Sequence, residues 1–142
     1  VRAHLANGGV VAQNVEPKTM LFDSAAKTLH AVFPQVEFYD ASGDNVGGNV
    51  VMIAYDGEGF SSSDLRRIAE AHQSDYHLRY DLAQMLPHRF LLKPVGSSFD
   101  VVDQAGHATA GIDDNAKVLT DDFAPVESLK AITRHNQKWI VQ

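Results

Sequence analysis

The first half of the sequence predicts an α/β fold. It contains an apolar run at residues 10–14, an amphipathic helical pattern at residues 19–33, and strand patterns at residues 36–41 and 49–55. Gly8-Gly9 ends a short helical pattern just before the apolar run, which is typical of a buried strand. Ligands of open α/β sheets bind in the crevice at the carboxyl ends of the strands. The polar side chains that end the first strand, beginning with Gln13, are therefore the first candidates for a site.

The polarity of the three strand patterns predicts their order in the sheet. Residues 10–14 and 49–55 are mostly apolar, so we expect them to be adjacent antiparallel strands. Residues 36–41 alternate between apolar and polar side chains, which favours a half-exposed strand on the outer edge. Residues 42–48 are polar and rich in glycine, and they are expected to form the turn of a hairpin.

The second half predicts a helical extension, at residues 57–142, packed on the same domain as the sheet of residues 1–56. Its expected elements are a helix over residues 63–72 capped by Ser63, a helical run at about 76–86, a short strand at 90–92, an ordered loop or lid at 97–119, and a last helix starting at Pro125.

Composition restricts the class of protein. A length of 142 residues suits one domain, and a net charge of −6 argues against a surface for nucleic acid or anionic membrane. The sequence has no cysteine, which removes disulfides and thiolate zinc sites and fits a cytoplasmic chain. No apolar run approaches the roughly 18 residues of a membrane span, so no membrane contact by this segment is expected.

Two candidate motifs are better explained as structural features than as functional sites. Gly57-Glu58-Gly59 with Asp81 further on is a degraded dinucleotide fingerprint, but a hairpin strand precedes it, and a plain turn is favoured. The seven histidines contain no His-x-x-x-His pair or glutamate-flanked zinc motif, so separate packed or solvated imidazoles are favoured and no metal is expected.

Asp121 and Asp122 precede the helix predicted to start at Pro125. Either carboxylate can accept the free backbone N–H groups of the first helical turn, and one is enough for a cap. The second is left to bind a cation such as a substrate ammonium or an arginine. Chemistry alone favours structural capping over cation binding as the role of this motif.

Two stretches of the chain resemble the spermidine/spermine synthase family, particularly its spermidine-synthase-like bacterial members. Residues 5–55 share the order of helix end, Gly-Gly, strand ending in Gln13, amphipathic helix, Val-Phe-Pro and hairpin. Residues 119–127, Leu-Thr-Asp-Asp-Phe-Ala-Pro-Val-Glu, are similar to a signature near the carboxyl end of those proteins, as are residues 134–139. The second motif is the more specific, because class I methyltransferases share the first in outline.

The resemblance implies a Rossmann-like class I methyltransferase fold that uses decarboxylated S-adenosylmethionine as co-substrate, with a small-molecule amine as acceptor. Gln13 matches the glutamine that places the acceptor amine at the end of the fifth strand. The family carries a Tyr-Pro pair in the loop between the last two strands, and this pair is missing here. Asn45 is the residue nearest to the position of that tyrosine in the sequence. The substrate-binding candidates are therefore Gln13, Asn45, Asp121 and Asp122.

The family's glycine-rich loop, ribose-binding acid and general base all precede the fifth strand, so no catalytic residue is assigned here. We expect this chain to be the carboxyl-terminal half of an aminopropyltransferase of polyamine biosynthesis. By itself it should be neither catalytic nor stably monomeric, and should form a homodimer or associate with the amino-terminal half. Two alternatives stay open: part of an S-adenosylmethionine-dependent methyltransferase-like enzyme, and a non-catalytic dimerisation domain.

Overall fold

A computed structural model of the chain describes residues 2–17, 19–41 and 48–120. Its elements are a 3₁₀ helix Arg2–His4, β1 Val10–Val15, α1 Met20–His30, β2 Gln35–Asp40, β3 Val50–Tyr55, α2 Ser62–Tyr76, a 3₁₀ helix Leu82–His88, β4 Arg89–Val95, β5 Ser98–Val102 and β6 Ala108–Gly111. The predicted α/β class is therefore confirmed. The described part contains no helix that is long and apolar enough to cross a membrane.

The strands form one six-stranded sheet in the order β1-β3-β2-β4-β5-β6, and all neighbouring strands are antiparallel. The predicted antiparallel pairing of the first strand with the third is confirmed, with Gln13 opposite Met52. Because β1 and β2 are both antiparallel to β3, they run parallel to each other, with α1 connecting them in sequence.

The expectation that residues 36–41 form an outer edge is wrong. β2 lies between β3 and β4, with Phe38 opposite both Met52 and Phe90. Its alternation arises because the polar side chains of Glu37 and Tyr39 lie on one face of the strand and the apolar side chain of Phe38 lies on the other. An alternating pattern indicates that the two faces of a strand differ in polarity. It does not indicate how many strands pair with that strand.

The first strand was expected to be buried, and this is also wrong. Four of its six residues are exposed and only Val15 is buried, while Val10 keeps 53% of its surface accessible. Among the described residues β1 pairs with β3 alone, so it lies at the edge of the sheet. Its apolar run is therefore partly exposed to solvent.

Residues 57–120 contain more strand than predicted. The short strand expected at 90–92 extends over the whole of β4, and the segment 97–119, predicted as a loop or lid, contains β5 and β6. The turn between β4 and β5 places Gly96 at φ 62°, a conformation that favours glycine. β5 and β6 are short and joined by an irregular pairing, so they show no clear period in the sequence.

The helical predictions for this half are partly correct. α2 begins at Ser62, and its cap is Ser61 rather than Ser63: the Ser61 hydroxyl accepts the Asp64 backbone N–H at 3.1 Å. The helical run expected at 76–86 is replaced by the end of α2 and the 3₁₀ helix Leu82–His88. The helix predicted from Pro125 lies outside the described residues.

The hydrophobic core lies between α1 and one face of the sheet. Phe22 of α1 packs against Phe38 of β2 with ring centroids 5.2 Å apart, and Met52 of β3 is fully buried beside them. Residues directly opposite each other in a sheet share a face, so Glu37 and Ile53, and likewise Tyr39 and Val51, lie on the other face. We call these the α1 face and the network face.

Candidate functional site

Gln13 lies near the end of the sheet at which a site was predicted. β1 ends at Val15 and β2 at Asp40, and both residues are paired with Val50, the first residue of β3. The carboxyl ends of the two parallel strands therefore meet at one end of the sheet. Gln13 is two residues from it, on the α1 face, with an exposed side chain. Its assignment to a substrate site stays a prediction.

The other three predicted site residues, Asn45, Asp121 and Asp122, lie outside the described residues.

A buried ion pair on the network face is the main feature that the sequence did not reveal. Glu37 of β2 and Arg89 of β4 are 3% and 2% exposed. Arg89 donates through Nε to Glu37 Oε2 at 2.7 Å and through Nη2 to Oε1 at 2.5 Å. This two-point contact has the geometry in which arginine and carboxylate interact most strongly.

Two tyrosines complete the surroundings of the carboxylate. The Tyr55 hydroxyl donates to Glu37 Oε1 at 2.5 Å, and the Tyr39 hydroxyl donates to Oε2 at 3.2 Å. Each carboxylate oxygen therefore accepts two hydrogen bonds, which offsets the cost of removing the charge from water. Arg89 Nη2 also donates to the Phe60 carbonyl at 3.0 Å, which attaches the segment before α2 to the sheet.

The network keeps both phenols protonated. Burial, together with the hydrogen bond to Glu37 and its charge, raises the pKa of Tyr55 to about 12. Burial and the Glu37 charge also raise the pKa of Tyr39 well above its ordinary value. For Arg89, burial lowers the pKa, but the hydrogen bonds and charge of Glu37 outweigh it and raise the pKa. These groups neither release nor take up protons near neutral pH.

The network lies at the floor of a cavity of about 560 Å³. The cavity lies between the network face of the sheet, α2 and the 3₁₀ helix that follows it. Its apolar walls are formed by Val10, Val51, Ile53, Phe60, Leu65 and Met85, and the polar groups at its floor are those of Glu37, Tyr39 and Tyr55. Its volume is within the range of small-molecule sites. Gln13 lies on the opposite face of the sheet.

The chemistry of this cavity is suited to binding. The Glu37 carboxylate has its acceptor positions filled, and the tyrosine hydroxyls are protonated, so none of these groups serves as a base or nucleophile near neutral pH. Within residues 2–17, 19–41 and 48–120, no cluster of three or more histidine or acidic side chains could hold a metal ion.

Only part of this network could be predicted from local patterns in the sequence. The alternation of residues 36–41 places Glu37 and Tyr39 on one face, and that face was expected to be half exposed. Glu37 and Arg89 are 52 residues apart, and no sequence pattern joins them. The pairing of β2 with β4 is what brings them together.

Comparisons with protein-family models, with curated proteins and with solved structures found no match for this chain.

Replacing Arg89 by leucine should strongly destabilise the protein, because the Glu37 carboxylate would be left buried without its counter-ion. The expected loss in the free energy of unfolding is about 3–5 kcal/mol. Arg2→Leu is the matched control, since Arg2 forms the same kind of pair with Asp56 at 2.7 Å on the surface, where about 0–1 kcal/mol is expected. Urea unfolding measures both losses. Similar small losses for the two variants would contradict the structural role of the buried pair.

The raised pKa of Tyr55 makes stability depend on pH in the alkaline range. The folded pKa of about 12 is above the ordinary value of 10.0, so the unfolded chain releases this proton first. The contribution is complete below pH 10 and is lost as pH rises towards 12. The free energy of unfolding of Tyr55→Phe, measured over this range, should therefore fall less steeply than that of the wild type. Equal slopes would show that Tyr55 is not held as described.

Proposed function

We propose that the chain forms the carboxyl-terminal part of a spermidine-synthase-like aminopropyltransferase of polyamine biosynthesis. The observation that supports this most is the arrangement of the first three strands: β1 and β2 are parallel, and β3 lies antiparallel between them. Two parallel strands connected in sequence by a helix are also the unit from which Rossmann-like sheets are built. The sequence signature at residues 119–127 supports it independently.

In the proposed reaction, an amine nitrogen attacks the carbon beside the sulfonium of decarboxylated S-adenosylmethionine. A carbon–nitrogen bond forms, the carbon–sulfur bond breaks, and a base accepts the proton that the amine loses. Such a transfer depends mainly on the position of the amine. Gln13, exposed near the carboxyl end of the sheet, would accept a hydrogen bond from the acceptor amine through its side-chain oxygen.

In this proposal, Asp121 and Asp122 bind a cation or stabilise the local structure, and Asn45 contributes to binding of the acceptor. These assignments rest on the sequence alone. Pairing with the amino-terminal half or with a second copy is also part of the proposal. The edge strand β1 supports it, because residues 10–15 contain no charge and no proline that would discourage another strand from pairing.

A methyltransferase-like enzyme with another nucleophile is the second candidate. The sequence Asp-Asn-Val-Gly at residues 44–47, where the true synthases carry Tyr-Pro, favours it. Calorimetric titration with decarboxylated and ordinary S-adenosylmethionine separates the candidates, using the longest translated form of the protein. Tighter binding of the decarboxylated donor supports aminopropyl transfer, and tighter binding of the ordinary donor supports the second candidate. Binding of neither contradicts both and favours a non-catalytic pairing domain.

Replacing Gln13 by alanine should weaken use of the acceptor amine and leave donor affinity nearly unchanged. Losing a hydrogen bond to a charged group costs about 1.5–3 kcal/mol, which is roughly a 10- to 150-fold loss in kcat/KM for the acceptor. The measurement is steady-state kinetics of aminopropyl transfer by the longest translated form, with varied acceptor.

The matched control is Gln84→Ala, which removes another exposed glutamine, in the 3₁₀ helix Leu82–His88. This control should leave the acceptor kinetics unchanged. If Gln13→Ala also leaves them unchanged, Gln13 has no place in the acceptor site.

A further inference from the structure

The cavity on the network face is separate from the site proposed around Gln13. It is open because the helix above it does not fill it: no residue of α2 is fully buried. The segment that leads into α2 is attached to the sheet by two hydrogen bonds, from Arg89 to the Phe60 carbonyl at 3.0 Å and from Gln35 Nε2 to the Gly57 carbonyl at 3.2 Å. These bonds hold the segment in place around the open space.

The charges around the cavity favour a neutral ligand. Glu37 is paired with Arg89, and its oxygens already accept hydrogen bonds from both tyrosines. Asp56, at the rim, is paired with Arg2 at 2.7 Å. Both carboxylates therefore have an arginine partner. A charged ligand would lose its hydration against apolar walls and would gain no counter-ion.

The floor of the cavity offers one hydrogen-bond acceptor. The Tyr55 hydroxyl donates to Glu37, and the backbone of Phe60 acts on the same hydroxyl by lowering its pKa. The Tyr39 hydroxyl also donates to Glu37, but no residue of the described part donates to the Tyr39 oxygen. A hydroxyl oxygen that donates its own proton can still accept a hydrogen bond. A ligand with a single N–H or O–H group can supply one.

We propose that this cavity binds a neutral ring compound that packs on Ile53 and Met85 and donates one hydrogen bond to the Tyr39 hydroxyl oxygen. The volume of about 560 Å³ accommodates one or two fused rings. This inference does not depend on the proposed aminopropyl transfer, because the cavity and Gln13 lie on opposite faces of the sheet.

The test uses indole, a neutral fused ring with one N–H group, titrated into the full 142-residue chain. Nuclear magnetic resonance of side-chain methyl groups follows binding, and the shifts should centre on Ile53 and Met85. Saturable binding with a Kd of about 1 mM or tighter is expected for a ligand of this size. Absence of saturable binding, or shifts centred elsewhere, would overturn the proposal.

Three compounds related to indole test whether the cavity recognises the N–H group and the neutral charge of the ligand. 1-Methylindole has no N–H group and should bind roughly 2- to 10-fold more weakly. This difference should disappear in Tyr39→Phe. The anion indole-3-acetate and the cation tryptamine should each bind more weakly than indole. Equal affinity for either ion, or an unchanged preference for indole over 1-methylindole in Tyr39→Phe, would contradict the assigned chemistry.

Filling the cavity with a larger side chain tests whether indole binds inside it. Ile53→Trp places a large ring in the space and should abolish indole binding, whereas Val95→Trp, on an exposed position of β4, should leave it intact. Binding that survives Ile53→Trp would overturn the proposal. Circular dichroism checks that each variant folds. If Ile53→Trp does not fold, the methyl shifts and the comparison of probes in the wild-type chain decide the question.

Discussion

The buried ion pair between Glu37 and Arg89 is the constraint on which the arrangement of this sheet depends. Removing either ion from water costs several kcal/mol, so each is tolerated only beside the other. The two residues are 52 positions apart and meet because β2 pairs with β4. Since β5 and β6 follow β4 in the sheet, this pairing extends the sheet from the first half of the described chain into the second. The strands of the second half therefore continue the sheet of the first.

The two faces of the sheet perform different tasks. The α1 face packs Phe22, Phe38 and Met52 into the hydrophobic core, and Gln13 lies at its margin, near the carboxyl ends of β1 and β2. The network face carries the ion pair, the two tyrosines and the open cavity. The proposed amine site and the proposed neutral-ligand site are separated by the thickness of the sheet. Each can therefore be tested without disturbing the other.

The sequence predicts the parts of this fold that depend on local patterns. The amphipathic period identifies α1, and the apolar runs identify β1 and β3 as neighbours. The failures have a common cause, because a local pattern does not show which distant segments pair. It could not show that β2 has a second neighbour, that β1 is exposed, or that Glu37 meets Arg89. Of the predicted site, only Gln13 can be located in the described residues, and the cavity required the assembled sheet.

The most direct test of this account is the number of strands that pair with β2. Backbone nuclear Overhauser effects in the full chain should connect β2 with two neighbours, in the registers Phe38 opposite Met52 and Phe38 opposite Phe90. Observation of both sets is the result that the account predicts. Effects to β3 alone would leave β2 at the outer edge of the sheet. Glu37 would then be separated from Arg89, and neither the buried network nor the cavity above it could exist as described.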